Sequence, residues 1–133
     1  MHLKERIEQY LEKVLSIEGI HWSLDFSGEL QFEPKEQIQL FGILQEAVTN
    51  ILKHASATSV TIKITDTTLS DLDGKWIFEI CDDGIGFDHQ QQSGYPFGFD
   101  IIRNRANDIG ATVIIESSEK GTCIQISKNT TLV

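Results

Sequence analysis

The chain has 133 residues, of which 40% are apolar and 23% are charged, and this size fits one compact domain with its own core. The formal net charge of −9 argues against direct contact with nucleic acid or an anionic membrane, because such binding depends on lysine and arginine side chains that neutralise phosphates. No apolar run approaches the roughly 20 residues that cross a bilayer. We therefore expect a soluble domain.

The first part of the chain shows two different periodicities. Apolar residues recur at three- and four-residue steps over residues 3–15, which predicts an amphipathic helix that ends at Gly19. Apolar and polar residues then alternate over residues 20–26, which predicts a half-buried strand. After a turn at residues 27–28, a short second strand is expected at residues 30–32.

The middle of the chain predicts a long core helix followed by a β-hairpin. Pro34 suits the first turn of a helix, where the amide groups lack intrahelical partners. Alternation returns over residues 60–64 and 76–80, and the polar residues 66–74 between them predict a hairpin connection. The apolar stripe of the helix consists of Leu40, Ile43, Leu44, Ala47, Val48, Ile51 and Ala55.

The last third predicts a loop, a third helix and two strands. Residues 81–97 are rich in Gly, Gln and Asp and lack periodicity, which indicates a long loop. A helix begins near Gly98 and stops at Gly110, and strands follow over residues 111–116 and 122–127. The elements together predict an α+β fold: a two-layer sandwich with a mixed sheet of about five strands and three helices on one face.

The two cysteines, Cys81 and Cys123, lie inside apolar strand-like segments and lack the spacing of a metal site. Buried cysteine usually behaves as a small hydrophobic residue. We therefore expect both thiols to be reduced, as in a cytoplasmic protein.

A first group of polar residues accompanies the stripe of the second helix. At 3.6 residues per turn, Glu46, Asn50 and Lys53 share one strip beside the apolar face, and His54 follows. One interpretation is a solvated helix face with an intrahelical ion pair. The other is a site for magnesium and a nucleotide, because an amide oxygen can ligate Mg²⁺, a lysine can meet phosphate and a glutamate can orient water or accept a proton.

A second group follows the strand that ends at Ile80. Asp82, Gly84 and Gly86 could form an ordinary glycine-rich turn. Alternatively, a buried Asp82 carboxylate could accept a hydrogen bond from the amino group of adenine. Guanine has a carbonyl oxygen in that position, which is also an acceptor and cannot donate to the carboxylate. The two glycines would then let the backbone approach the base.

Two further glycines complete the candidate site. Gly98 opens a helix whose first amides can bind phosphate, although the carboxylate of Asp100 in the same turn would compete for that position. Gly121 and Thr122 also fit an ordinary hairpin turn. The chain lacks the Gly-x4-Gly-Lys-Ser/Thr sequence, which excludes an ordinary P-loop.

Taken in order, these segments resemble the ATP-binding fold shared by gyrase, Hsp90, histidine kinases and MutL, the GHKL superfamily. Residues 45–55 resemble the N box, residues 82–86 the G1 box, residues 97–99 a reduced G2 box and residues 121–122 the final Gly-Thr pair. The resemblance extends over residues 20–127, and within the superfamily it points to sensor histidine kinases whose regulators carry LuxR-type DNA-binding domains.

The resemblance implies a role for each matching residue. Glu46 is expected beside the γ-phosphate as the catalytic, polarising group, and Asn50 as the Mg²⁺ ligand. Lys53 and His54 approach the phosphates or the ribose, and Asp82 binds adenine. The remaining implied positions are Gly84 and Gly86 in the adenine pocket, Gly98 at the phosphates, Thr122 in the water network around Asp82, and residues 88–97 as the lid.

The implied function is transfer of the γ-phosphate of Mg-ATP to a histidine on a separate dimerisation domain, in two-component signalling with a LuxR-type response regulator. Residues 1–18 are then a linker helix from that domain, and residues 19–133 the ATP-binding domain. The expected location is the cytoplasmic end of a membrane-anchored sensor.

Two alternatives remain open: an anti-sigma-type serine kinase, and a non-catalytic, nucleotide-gated interaction module. None of the four histidines lies in the acidic helical setting of a phosphoacceptor, so we do not expect efficient self-phosphorylation.

Overall fold

The computed structural model describes residues 3–27, 32–66, 75–85 and 98–129. Within these ranges the chain forms three α-helices, one π-helical turn and five strands. The elements are α1 Leu3–Val14, β1 His21–Ser27, α2 Pro34–Asn50, the π-helical turn Ile51–Ala55, β2 Ser59–Asp66, β3 Lys75–Asp82, α3 Phe99–Asp108, β4 Thr112–Ser118 and β5 Gly121–Asn129.

The five strands form one mixed sheet in the order β1-β2-β3-β5-β4. β1 runs parallel to β2, and every other neighbouring pair is antiparallel. The expected hairpin pairing of β2 with β3 is confirmed. Of the short strand expected at residues 30–32, only Phe32 lies within the described residues, and it is outside any strand.

The core lies between the sheet and the helices. Alternate residues of the central strands, such as Ile62 in β2 and Phe78 in β3, are fully buried, and so are Ile7 and Leu11 of α1 and Leu44 of α2. The intervening strand residues point to the other face of the sheet, as the period of two requires. The expected two-layer α+β sandwich with three helices and five strands is therefore confirmed. Within the described residues, no helix is long and apolar enough to span a membrane.

The second helix does not continue as a regular α-helix to its end. After Asn50 the backbone widens into the π-helical turn, which ends at Ser56 with a left-handed φ of 52°. The apolar stripe through Ile51 predicts a continuous helix, and nothing in the sequence marks the change of pitch. The wider turn alters the direction of Lys53 and His54 relative to Asn50, and π turns of this kind are frequent at functional sites.

The expectation of two reduced cysteines was wrong, because Cys81 and Cys123 form a disulfide. They are 42 residues apart in sequence but directly opposite each other in β3 and β5, with 4.1 Å between their Cα atoms. The reason is topological: β5 inserts between β3 and β4, and neither this order nor the register is readable from composition. Asp82 directly follows Cys81, and Thr122 directly precedes Cys123. The bond therefore joins β3 and β5 beside these two candidate site residues.

Candidate functional site

Asp82 is the last residue of β3 and is half-buried. The period of two places its side chain on the helix-covered face of the sheet, as for the buried Ile80. The carboxylate accepts a hydrogen bond from the backbone N–H of Gly84 at 2.8 Å and another from the backbone of Thr122. Burial raises the pKa of Asp82 above its usual range; the two backbone hydrogen bonds oppose this rise, and the nearby charge of Asp83 adds to it.

The Gly121-Thr122 pair forms the start of β5 against the end of β3. Gly121 has a φ of 130°, and a Cβ atom there would collide with the Asp82 carbonyl oxygen. The Thr122 hydroxyl pairs with that of Ser117 at 2.8 Å. The pair thus directly follows the β4–β5 hairpin turn, and Gly121 also fits closely against the backbone of Asp82.

Glu46 and Gly98 meet where α2 packs beside the beginning of α3. Gly98 is the N-cap residue of α3 and has a left-handed φ of 67°. A Cβ atom at this position would lie 3.0 Å from Cδ of Glu46 and still closer to its carboxylate oxygen. The Glu46 carboxylate therefore sits beside the positive end of the α3 dipole. Asp100, in the same first turn, is exposed.

The other expected site residues of the second helix lie on either side of the change from α-helix to π-helical turn after Asn50. Asn50 is half-buried at the end of α2, one turn after Glu46. Lys53 and His54 are exposed on the π-helical turn. The regular α-helix on which the common strip was predicted therefore ends at Asn50, and Lys53 lies on the π-helical turn beyond it. Gly86 and the lid, residues 88–97, lie outside the described residues.

One acidic residue of the region was missed by the sequence analysis. The Asp83 carboxylate accepts hydrogen bonds from the Thr58 N–H at 2.8 Å, the Thr58 hydroxyl at 2.6 Å and the Ser59 N–H at 2.9 Å. The Thr58 hydroxyl, followed by the backbone groups, lowers the pKa of Asp83 below its usual range. The only sequence signal is a second aspartate after Asp82, and it does not reveal partners 25 residues upstream.

Solved structures of histidine kinases share this architecture. The histidine kinase domain of the blue-light activated kinase from Erythrobacter litoralis superimposes with a TM-score of 0.70 and 18% identity, over 94% of this chain and 58% of that chain. The Acinetobacter baumannii histidine kinase AdeS gives a TM-score of 0.73 and 14% identity, over 98% of this chain and 64% of that chain. The fold is thus that of the ATPase domains found in histidine kinases.

Sequence comparison extends the likeness from fold to family. Residues 35–131 match the family described as histidine kinase-, DNA gyrase B-, and HSP90-like ATPase. The sensor protein VraS of Staphylococcus aureus is 32% identical over 117 residues, which cover 87% of this chain and 31% of VraS. VraS of Staphylococcus epidermidis is 31% identical over the same length. The chain belongs to this ATPase family, and it spans 31% of the length of these relatives.

Proposed function

We propose that this domain binds Mg-ATP and donates the γ-phosphate to a histidine on a separate dimerisation domain, as the catalytic part of a two-component sensor kinase. The observation that carries the proposal is the half-buried carboxylate of Asp82, held at the end of β3 by backbone hydrogen bonds. Membership of the ATPase family and likeness to the sensor protein VraS support it.

The chemistry of Asp82 suits adenine. An ionised carboxylate only accepts hydrogen bonds, and its two oxygens offer about four acceptor positions. The Gly84 and Thr122 backbone groups use part of this capacity, which leaves acceptor positions for the amino group of adenine. Guanine would present a carbonyl oxygen there, so two acceptors would face each other. Binding of GTP is therefore expected to be much weaker than binding of ATP.

The side-chain oxygen atoms of α2 suit the magnesium-phosphate end of the nucleotide as metal ligands. Mg²⁺ prefers oxygen ligands and usually combines one or two protein ligands with phosphate oxygens, and we assign the Asn50 carboxamide to this role. A Mg²⁺ ion held there would neutralise phosphate charge that the adjacent Glu46 carboxylate would otherwise repel. Glu46 is assigned as the polarising group beside the γ-phosphate, Gly98 as part of the phosphate site, and Lys53 with His54 as phosphate or ribose contacts.

The partners follow from the same family assignment. The phosphate acceptor is a histidine of the dimerisation domain, to which the helical residues 1–18 would lead. The phosphate would pass on to a response regulator. Residues 53–55 and the arginines of α3, Arg103 and Arg105, resemble kinases that pair with LuxR-type regulators. We place the domain at the cytoplasmic end of a membrane-anchored sensor.

Calorimetry with Mg-ATP, Mg-ADP and Mg-GTP tests the proposal. Asp82→Asn is expected to abolish the preference for adenine, because the carboxamide can donate as well as accept. Asn50→Ala is expected to remove the dependence of ATP affinity on Mg²⁺. Asp25→Asn, an exposed position on β1, is the matched control and is expected to leave both properties unchanged. Affinity for ATP that is indifferent to both site variants would overturn the proposal.

A further inference from the structure

The residue after the adenine-binding carboxylate connects two parts of the site. We infer that Asp83 is a positioning residue that ties the end of β3 to Thr58 and Ser59, just after the π-helical turn, and thereby couples adenine binding to binding of the magnesium-triphosphate group. The inference rests on the proposed function. It concerns a residue that has no expected contact with the nucleotide.

The hydrogen bonds of Asp83 all lead to one short segment. Its carboxylate accepts three hydrogen bonds from Thr58 and Ser59 at 2.6 to 2.9 Å, and its own N–H donates to the Ser59 carbonyl at 3.2 Å. Thr58 and Ser59 are the residues that lead from the π-helical turn into β2. The Thr58 carbonyl also accepts a hydrogen bond from the His21 N–H at 2.9 Å. The segment is thus held from the β1 side and from the β3 side.

This segment needs tertiary contacts to keep its shape. A π-helical turn is a rare conformation that seldom forms without support from its surroundings. Ser56, which ends the turn, has a left-handed φ of 52°, a conformation that is unfavourable for residues other than glycine. Because Lys53 and His54 lie on that turn, their direction depends on what holds the turn in place. Asp83 makes four hydrogen bonds to Thr58 and Ser59, which follow the end of the turn at Ser56 by two and three residues.

Covalent linkage then joins the two halves of the site. Asp82 and Asp83 are consecutive, so a shift of the backbone at one residue also moves the other. Asp82 lies at the adenine side, while Asp83 holds the segment next to the turn that bears Lys53 and follows Asn50. Loss of the Asp83 hydrogen bonds would weaken this link and leave the β2–β3 pairing, which ends at Val60 and Asp82, to hold the two sides together. Binding of one end of ATP would then no longer arrange the groups for the other end, and the coupling free energy between the ends would fall.

The test compares two ligands in calorimetric titrations of the same domain. Adenosine uses only the adenine and ribose contacts, whereas Mg-ATP uses these and the phosphate contacts. In the wild type Mg-ATP is expected to bind more tightly than adenosine. In Asp83→Ala this advantage is expected to shrink about tenfold, a size typical of coupling between sites. If Asp83 served only general folding, its loss would weaken the binding of both ligands by the same factor. The ratio of the affinities for Mg-ATP and adenosine therefore distinguishes a positioning role from an effect on stability.

Asp83→Asn is the rescue variant. Its carboxamide oxygen can accept the two backbone N–H groups, and its NH₂ can donate to the Thr58 hydroxyl oxygen, so we expect it to restore most of the lost ratio. Thr58→Val removes only the hydroxyl and is expected to lose less than Asp83→Ala. Asp25→Ala, on the exposed face of β1, is the control for removal of a carboxylate. Hydrogen exchange of the Thr58 and Ser59 amides is expected to accelerate in Asp83→Ala and to return towards the wild-type rate in Asp83→Asn.

The outcomes distinguish this inference from the function on which it rests. If the wild type binds neither ligand, the proposed function itself fails. If the wild type binds both ligands, the ATP-binding function stands. The positioning role of Asp83 is then refuted if Asp83→Ala keeps the wild-type ratio of the affinities for Mg-ATP and adenosine, or if Asp83→Asn fails to restore that ratio. Thermal unfolding of each variant confirms that the titrated protein is folded.

Discussion

Reduction of the Cys81–Cys123 disulfide is expected to lower the stability of the domain substantially. The bond closes a loop between residues 42 positions apart, and for a loop of this length the chain-entropy model gives about 4 kcal/mol of stabilisation. Domains of this size are stable by roughly 5 to 15 kcal/mol, so the loss is a large part of the total. The corresponding fall in the midpoint of thermal unfolding is about 10 °C or more.

Urea unfolding with and without a dithiol reductant measures this loss. The wild type is expected to unfold at a lower urea concentration when reduced, and Cys123→Ser is expected to match the reduced wild type under both conditions. The double variant Cys81→Ser, Cys123→Ser is the control, because the reductant has no bond to break in it. Two titratable thiols in the unreduced, unfolded protein, or a midpoint indifferent to reductant in the wild type, would refute the reasoning.

Two further predictions concern Asp82 and its neighbour. Gly121→Ala is expected to weaken ATP binding by about tenfold or more, because alanine is strained at this positive φ. The added Cβ atom would also collide with the Asp82 carbonyl oxygen. Calorimetry that shows unchanged affinity would contradict this prediction. The pKa of Asp82 is raised, so its contribution to folding stability is greatest below its ordinary pKa of 3.8 and is lost as pH rises through the folded value. The proposed hydrogen bond to adenine needs the ionised carboxylate, so affinity for ATP is expected to rise over that same pH range. Calorimetry that shows the affinity falling instead would exclude this hydrogen bond.

The regular elements could be predicted because their signals are local. Alternation marked β1, β2 and β3, and three- and four-residue apolar steps marked α1 to α3. The two-layer architecture therefore followed from the sequence. The position of Asp82 at the end of β3 followed in the same way, although the strand extends two residues further than the loop boundary at Cys81 suggested. These features depend on neighbours within a few residues.

The features that escaped prediction depend on contacts between distant segments. The disulfide requires the register of β3 against β5, and the hydrogen bonds of Asp83 require the end of β3 to meet the start of β2. The π-helical turn has no residue signature, because Ile51 continues the apolar stripe that also suits an α-helix. The position of Glu46 against Gly98 likewise arises only when α2 and α3 pack together.

The Glu46 carboxylate beside Gly98 is expected to restrict which anions can bind at the first turn of α3. The negative side chain beside the first turn of α3 occupies the surroundings in which a small free anion would otherwise be attracted. Inorganic phosphate or sulfate must compete with a carboxylate that is tethered to α2 and therefore present at high effective concentration. A phosphate ligand with its own bound divalent cation would be repelled less, so we expect Glu46 to weaken binding of free anions more than binding of a metal-bound triphosphate.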